Sequence, residues 1–338
     1  MKELFKKIVS TLYRLRSKQI LNQGYSATTL RNKLDPDHNV VLSFHGLRKA
    51  RRVLQYISCQ YMYYHNLEPK DFMTYMDILT FVESAIYLID EVNEQADENE
   101  KRFKFDFSNK NILSDNEFFD NVNRNYQLST LFYFLKNHNF YDNYVHRQLH
   151  DALLYYKLEQ YCVSSFTESN SNNPLNEDLV QKCNSLRSFD IRLLDLILYK
   201  LTNQPYEDEL LKCLYYREIM YESADDLLSY EQDILKNTFN IYRMYAHLYP
   251  NNSELYFNKY IRILADQYKK IFNYLLLQNP QLMKQHQQLD ERNPSGLIYK
   301  EIKSNEFDVT ENWIRPKCIH DEYTWKKNYY CDLQAKHI

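Results

Sequence analysis

The sequence predicts an all-α protein, and three observations support that prediction. Only three glycines occur in 338 residues, whereas sheets joined by tight turns need residues that tolerate positive φ. Apolar residues recur at helical spacing through most of the chain. Clusters of Pro, Asn and Asp separate the resulting segments. The shortage of glycine also excludes the phosphate-cradling loops of Rossmann, P-loop and kinase nucleotide sites.

The remaining composition narrows the class of protein further. Hydrophobic residues make up 44% of the chain, which is enough to bury a large core. The net charge is −3 and no extended basic stripe occurs, so nucleic acid is not expected as a partner. No segment approaches the ~18 consecutive apolar residues that indicate a transmembrane helix. The six cysteines are scattered without a CxxC pair, so we expect free thiols in a reducing compartment.

Residues 1–35 form a basic N-terminal segment that ends at the break Asp35-Pro36-Asp37. Glu3 is the only acid before residue 34, against eight Lys and Arg residues. We interpret the segment as a helix that docks on the body or frays, or as the remnant of an organellar address, which places the protein in the cytoplasm or in an organelle. Residues 36–338 are predicted to form a single helical domain.

Periodicity and capping residues place the helices of this domain in order. Pro69 fits the first turn of a helix, where its missing N–H costs nothing. The stretch 101–114 is polar and predicts a loop, as does the Ser- and Asn-rich stretch 164–174. The final ~60 residues are less regular. The predicted helices span about 46–64, 69–90, 117–135, 141–163, 179–201, 210–235 and a segment that begins at Asn252 or Ser253.

Aromatic residues are abundant, with 32 Tyr and 18 Phe. One interpretation is that Tyr rings fill the seams between helices and keep their hydroxyl groups at the surface. The other is that some of the rings line a cavity for a carbocation or a flat apolar ligand, since aromatic faces attract cations. Composition does not separate the two.

A row of oxygen-bearing side chains lies on the helix predicted over 210–235. Asp225, Ser229 and Asp233 are spaced i, i+4 and i+8, so they fall within roughly 80° of one another around the helix axis. Two carboxylates and a hydroxyl in one line can hold a hard cation such as Mg2+. Lys236 lies on the adjoining side of the helix, where a cation can meet a phosphate. A solvated acidic helix face is the plain alternative.

A second acidic group lies at the predicted end of the helix over 69–90. Asp90, Glu91 and Glu94 fall within ~100° of arc, directly after an apolar run. Carboxylates at this position repel one another and lie at the unfavourable end of the helix dipole. Bound Mg2+ would relieve that repulsion, whereas a charged, solvent-facing helix end is the plain alternative.

These two motifs together resemble those of class I terpene synthases. The stretch Asp225-Asp226-Leu227-Leu228-Ser229-Tyr230-Glu231-Gln232-Asp233 is similar to the family's second metal motif, Asn/Asp-Asp-x-x-Ser/Thr-x-x-Lys-Glu. Asp90-Glu91-Val92-Asn93-Glu94 is similar to the aspartate-rich first motif of terpene and prenyl diphosphate synthases. The departures are Asp225 for the commoner Asn, Asp233 for Glu, Gln232 for a frequent Lys and Glu91 for Asp. Asp90 and Asp225 are 135 residues apart, which is close to the family's separation.

The resemblance also assigns residues that bind diphosphate. In the family an Arg upstream of the second motif grips the diphosphate and triggers ionisation, and Arg187 is the nearest match, at a shorter spacing than usual. Arg192 is the fallback, and Lys236 is the nearest cation after the second motif. The C-terminal region contains Trp313 and Trp325 but lacks the family's Arg-Tyr pair.

The resemblance therefore implies a terpenoid synthase-like helical bundle around a central cavity, with three Mg2+ ions between the two motifs. The expected reaction is ionisation of geranyl, farnesyl or geranylgeranyl diphosphate, followed by terpene cyclisation. A first alternative is prenyl transfer to an amine or amino-acid acceptor, as in the algal N-prenyltransferases of kainoid biosynthesis. A second alternative is a non-catalytic helical scaffold in which the acidic motifs are coincidental.

Overall fold

The computed structural model describes residues 42–65, 67, 69–95, 103–108, 112–167, 175–282, 313 and 315–335. These residues form helices, turns and loops and contain no strand, so the all-α prediction is confirmed for this part of the chain. They belong to one compact unit that begins at Val41. The basic segment 1–35 lies outside the described residues. None of the described helices combines the length and the apolar character that crossing a bilayer requires.

Eleven helices are described. They are α1 (Phe44–Tyr64), α2 (Pro69–Gln95), α3 (Asp115–Arg124), α4 (Tyr126–Asn137), α5 (Asn143–Thr167), α6 (Glu177–Leu186), α7 (Phe189–Leu201), α8 (Asp208–Lys236), α9 (Ile241–Leu248), α10 (Ser253–Gln278) and α11 (Glu322–Ala335).

The helices pack in two groups that meet through α5 and α6. In the first group α2 packs against α1, α4 and α7, and α7 also packs against α1 and α5. In the second group α8 packs against α6, α9 and α10. Both groups contribute to one continuous apolar core, in which Leu54, Leu79, Leu193 and Ile234 are fully buried. The acidic motifs lie on α2 and α8, one in each group.

Asparagine and serine side chains fix several of the helix starts. Ser114 caps α3, Asn125 caps α4, Asn176 caps α6 and Asn240 caps α9, each by accepting a backbone N–H from the first turn. Such a cap satisfies one of the four N–H groups that a helix start leaves unpaired. These caps explain how a chain with so few glycines and prolines divides into distinct helices.

Two predicted helices are interrupted, and two others extend further than predicted. The prediction of one continuous helix over 117–135 was wrong, because Asn125 adopts extended backbone and caps α4. The helix predicted over 179–201 divides at Arg187–Ser188 into α6 and α7. α2 continues to Gln95, so the first acidic motif lies within the helix rather than at its end. α5 likewise extends into the predicted loop, as far as Thr167.

Tyrosine hydroxyl groups are not confined to the surface. Tyr230 and Tyr245 are almost completely buried, yet both hydroxyls form internal hydrogen bonds. The Tyr245 hydroxyl accepts from Gln181 Nε2 at 2.9 Å, and Tyr260 accepts from Asn184 at 3.1 Å. Other tyrosines, such as Tyr133, are more than half exposed. Five of the six cysteines, Cys162, Cys183, Cys213, Cys318 and Cys331, are free thiols, and the side chain of Cys59 lies outside the described residues.

Gly46 allows α1 to approach α2 closely. A Cβ at this position would lie 3.0 Å from the Ser84 carbonyl oxygen and 3.1 Å from Ser43 Oγ. Backbone cannot move aside as a flexible side chain can, so added volume here separates the two helices.

We therefore expect Gly46→Ala to destabilise the protein by about 1 kcal/mol, because the overpacking cost exceeds the gain in helix propensity. The measurement is urea unfolding followed by circular dichroism. Arg48→Ala, at an exposed position of the same helix, is the control and should change stability by less than about 0.5 kcal/mol. A Gly46→Ala protein as stable as the wild type would show that the helices can move apart freely.

Asp195 is a buried carboxyl group on α7 whose Oδ2 atom has no hydrogen-bond partner. Burial raises the pKa of Asp195 to about 7, although the nearby Arg217 opposes the shift. The carboxyl group is therefore protonated in the folded protein over a pH range in which the unfolded chain has already lost the proton. Its contribution to stability is fully present below pH ~4 and is lost as the pH rises to about 7.

We expect Asp195→Asn to remove this pH dependence, since the amide cannot ionise. As the pH rises from 5 to 8, the free energy of unfolding should fall by about 2 kcal/mol more in wild type than in the variant. Urea midpoints at the two pH values test this, with Asp266→Asn on the exposed side of α10 as the control. Equal pH dependence in Asp195→Asn and wild type would contradict the assignment.

Candidate active site

The second acidic motif lies in the last three turns of α8. Ser229 Oγ donates a hydrogen bond to Asp233 Oδ2 at 2.5 Å, so two of the three predicted ligands are in direct contact one turn apart. Ser229 is buried, Asp233 is half-buried and Asp225 is exposed. The row thus runs from the solvent-facing side of α8 towards the turn that follows the helix.

That turn holds Asp233 from the other side. Asn237 ends α8 in the left-handed region, with φ 57°, which Asn tolerates better than most residues. The chain then reverses, and Asn240 Nδ2 donates to Asp233 Oδ2 at 2.8 Å. Thr238 Oγ1 also lies 3.4 Å from Asp233 Oδ1. The Asp233 carboxylate is therefore held in one orientation by groups on both sides.

Arg187 lies beside the same motif but pairs with a residue that the sequence analysis did not select. Its NH1 atom donates to Asp226 Oδ2 at 2.7 Å, and its NH2 atom lies 3.4 Å from Glu222. The backbone N–H of Ile241 also donates to Asp226 Oδ2, at 2.5 Å. Asp226 is 1% exposed, so this is a buried ion pair between the α6–α7 turn and α8. The signal in the sequence was the Asp225-Asp226 pair itself, whose second member faces inward.

The ion pair keeps Arg187 charged. Burial by itself lowers the pKa of Arg187, but the carboxylates of Asp226 and Glu222 more than compensate and raise it well above its usual value. The guanidinium also lies over the ring of Phe239, with its central carbon 5.6 Å from the ring centroid. A permanently charged guanidinium beside the oxygen row is the arrangement that binding of a phosphate group requires.

The other two predicted cations differ in position. Arg192 donates to Gln148 at 2.8 Å and lies 3.5 Å from Glu218, within the packing of α5, α7 and α8. Lys236 is exposed in the last turn of α8. Among the described side-chain contacts of these three cations, the hydrogen bond from Arg187 to Asp226 is the one that reaches the second motif.

The residues of the first acidic motif point in different directions. Asp90 accepts a hydrogen bond from the hydroxyl of Tyr156, on α5. Glu91 instead accepts from Ser43 Oγ at 3.2 Å and lies 3.2 Å from His45 Nε2, so it holds the start of α1. Glu94 lies in α2, but its side chain is outside the described residues. Of the two members whose side chains are described, Asp90 contacts α5 and Glu91 contacts the start of α1.

Electrostatic effects connect Asp90 with Arg187 through α5. Burial and the carboxylate of Glu159 raise the pKa of Tyr155 well above its usual value. Arg187 opposes that shift and Asp90 adds to it, so both groups lie close enough to act on one hydroxyl. Asp90 of the first motif and Arg187, which pairs with Asp226 of the second motif, thus act on the same residue of α5.

Deeper in the same region lies a group of carboxyl side chains. Glu83 is fully buried on α2, and neither of its carboxyl oxygens has a hydrogen-bond partner. Burial, then Asp190 and Asp90, raise its pKa well above the usual value. Burial and four carboxyl groups, Glu83, Asp190, Asp90 and Glu222, together raise the pKa of the Tyr87 hydroxyl. This carboxyl cluster, drawn from α2, α7 and α8, was not predicted from the sequence.

Asp190, in the first turn of α7, connects this cluster with α8. Burial and the Glu222 carboxylate raise the pKa of Asp190 to about 7. Asp190 and Glu222 are half-buried, whereas Glu83 is fully enclosed. A hydrogen-bonding cation is the kind of group that would satisfy such carboxyls.

The side chains on α8 fit Mg2+ better than a metal that needs a full set of protein ligands. Within the part of the chain that the structure describes, no three His, Cys, Asp or Glu side chains are placed so that they could hold one metal ion. Mg2+ commonly binds one or two carboxylates and takes its other ligands from water and phosphate. Asp225, Ser229 and Asp233 provide two carboxylates and a hydroxyl of this kind. The described side chains do not gather both motifs into one cluster.

Clefts at two places in the described part of the chain contain no residue of the acidic motifs. A cleft of about 340 Å3 lies beside α9 and residues 319–323, and one of about 350 Å3 lies beside α3. The central cavity that the resemblance implies therefore remains a prediction.

Comparison of the chain with protein-family models, with curated proteins and with solved structures finds no match.

Proposed function

We propose that the protein ionises an allylic prenyl diphosphate in a Mg2+-dependent reaction and then cyclises the prenyl cation to a terpene. The observation that carries this proposal is the position of Arg187. Its guanidinium is held by Asp226 at 2.7 Å, next to the row of Asp225, Ser229 and Asp233. A cation and a set of hard oxygen ligands thus lie side by side, as an Mg2+–diphosphate group requires.

Each residue of the site has a defined task in this proposal. Asp225, Ser229 and Asp233 would hold Mg2+, which neutralises charge on the departing diphosphate. Arg187 donates N–H groups to the diphosphate oxygens as charge grows on them when the carbon–oxygen bond breaks. Asp226 keeps the guanidinium protonated and fixed, so little reorganisation is needed during the reaction. No side chain needs to act as a nucleophile.

Aromatic rings near Asp90 suit the second half of the reaction. Tyr156 and Phe189 meet at 75° with their centroids 6.0 Å apart, and Tyr155 lies 6.5 Å from Phe189. Ring faces attract cations, and an aromatic enclosure that excludes water protects an allylic cation from hydrolysis. The same rings would restrict the conformations from which the cation closes into a ring.

We expect the purified protein to release diphosphate from geranyl, farnesyl or geranylgeranyl diphosphate only when Mg2+ is present. Asp225→Asn and Ser229→Ala should each lower the rate of release at least about tenfold, because each removes one ligand of the metal. Released diphosphate and extracted hydrocarbons are the measurements. Glu231→Gln, on an exposed side of the same helix, is the matched control and should retain the wild-type rate.

A hydrocarbon product that forms with Mg2+ would establish cyclisation. If none of the three substrates releases diphosphate with wild-type protein, the enzymatic proposal fails and the helical scaffold is the better account.

The carboxyl cluster favours a second candidate, prenyl transfer to an amine. Glu83, Asp190 and Glu222 present negative charge or hydrogen-bond acceptors where a protonated amine could bind. In the transfer step the amine nitrogen, once deprotonated, forms a bond to the allylic carbon as the carbon–oxygen bond to diphosphate breaks. The proton of the amine passes to a carboxylate.

For this candidate we expect diphosphate release to rise when an amine or amino-acid acceptor is added, with a prenylated amine as the product. Glu83→Gln should raise the acceptor KM about tenfold, since an amide replaces a carboxyl group that can accept a hydrogen bond or the proton from the amine, and leave the KM for the prenyl diphosphate unchanged. Mass spectrometry of the product and initial rates test both statements. Asp77→Asn, at an exposed position of α2, is the control. An unchanged rate in the presence of every acceptor would exclude amine transfer and leave cyclisation.

A further inference from the structure

Residues 319–322 lead into α11, whose first residue is Glu322, and they contact the body of the protein at one buried guanidinium. Arg243 Nε donates to Glu322 Oε1 at 2.7 Å, and Arg243 NH2 donates to Glu322 Oε2 at 2.7 Å. The side chain of Arg243 is 1% exposed. A second contact is the hydrogen bond from the Ile319 N–H to the Tyr230 hydroxyl, at 3.0 Å. Two parallel bonds of this kind fix both distance and orientation.

The same guanidinium also holds the turn between α8 and α9. Arg243 NH1 donates to the Thr238 carbonyl oxygen at 2.8 Å, and NH2 donates to Asn237 Oδ1 at 2.8 Å. Because one rigid planar group makes both sets of contacts, displacement of Glu322 changes the position of the group that holds the turn.

The turn between α8 and α9 also holds two carboxyl residues of the candidate site. Asn240 Nδ2 donates to Asp233 Oδ2 at 2.8 Å and to the backbone carbonyl oxygen of Asp226 at 2.7 Å. The Ile241 N–H donates to Asp226 Oδ2 at 2.5 Å. An uninterrupted series of hydrogen bonds and short backbone steps therefore runs from Glu322 to Asp226 and Asp233.

We infer that Arg243 is a positioning residue, and that docking of residues 319–322 through Glu322 sets the geometry of Asp226 and Asp233 at the candidate site. The metal-binding consequence rests on the proposed function, whereas the structural link does not. The cleft of about 340 Å3 between α9 and this segment shows that apolar packing does not fill the whole contact. Loss of the Glu322 charge leaves Arg243 buried without that partner, so the guanidinium and the turn move together.

The chain provides a matched control for this inference. A second ion pair, Arg315 with Glu254 at 3.0 Å, also ties the C-terminal region to the body, but it reaches α10 and not the turn. Glu322→Gln and Glu254→Gln therefore each remove one charge from the attachment of the same region. Glu322 pairs with Arg243, the residue that holds the turn, whereas Glu254 pairs with Arg315.

The experiment is hydrogen exchange of the full-length protein over residues 226–245, followed by titration with Mn2+ as a paramagnetic probe of the Mg2+ site. Glu322→Gln should increase exchange at Ile241 about tenfold and weaken Mn2+ binding about tenfold, whereas Glu254→Gln should change neither by more than about twofold. Glu322→Asp retains the charge, so its exchange at Ile241 and its Mn2+ affinity should both be closer to wild type than those of Glu322→Gln. A purely structural role would lower stability without this difference between the two variants.

Unchanged exchange at Ile241 in Glu322→Gln, or an equal increase in both variants, would overturn the inference. Failure of the wild-type protein to bind Mn2+ would instead count against the proposed function. A selective increase in exchange would still establish the link between Glu322 and the turn in that case.

Discussion

The buried ion pair between Arg187 and Asp226 is the interaction on which the candidate site depends. Asp226 is 1% exposed and lies 2.7 Å from Arg187, which opposes the rise in the pKa of Asp226 that burial causes. Removing one partner of such a pair costs about 3–5 kcal/mol, because the other charge is left buried and unpaired. The pair thereby fixes the α6–α7 turn against α8 and sets the position from which Arg187 can reach a ligand.

The described part of the chain buries several carboxyl groups in its interior. Glu83 has no hydrogen-bond partner for either oxygen, and Asp195 lacks one for Oδ2. Each such group lowers stability when it ionises, since the protein interior solvates charge poorly. Perturbed carboxyl groups concentrated between helices are typical of functional sites, where the cost is offset by binding or catalysis. Glu83 lies within electrostatic range of Asp90, which connects it with the first acidic motif.

Two different kinds of contact hold the region together. Apolar packing joins α2 to α1, α4 and α7, and it tolerates little change in volume, as the close approach at Gly46 shows. Polar contacts dominate where α8 ends, because the turn at Asn237 leaves backbone groups that need partners. Asn240 and Arg243 supply those partners and connect the end of α8 with α9 and residues 319–322. The helices thus define a rigid frame, and hydrogen bonds adjust the acidic side chains within it.

The sequence by itself determined the helical class, the order of the main helices and the close spacing of Ser229 and Asp233 on α8. These properties are local, because helical periodicity and the scarcity of glycine act over a few residues. Only the tertiary structure decided that Asp226 faces Arg187, 39 positions away in the chain, that Glu91 turns to α1 while Asp90 turns to α5, and that Glu83 joins a carboxyl cluster. Those choices depend on which helix faces pack together. A pattern of spacing along one helix places a side chain on a face, but packing between helices decides what that face meets.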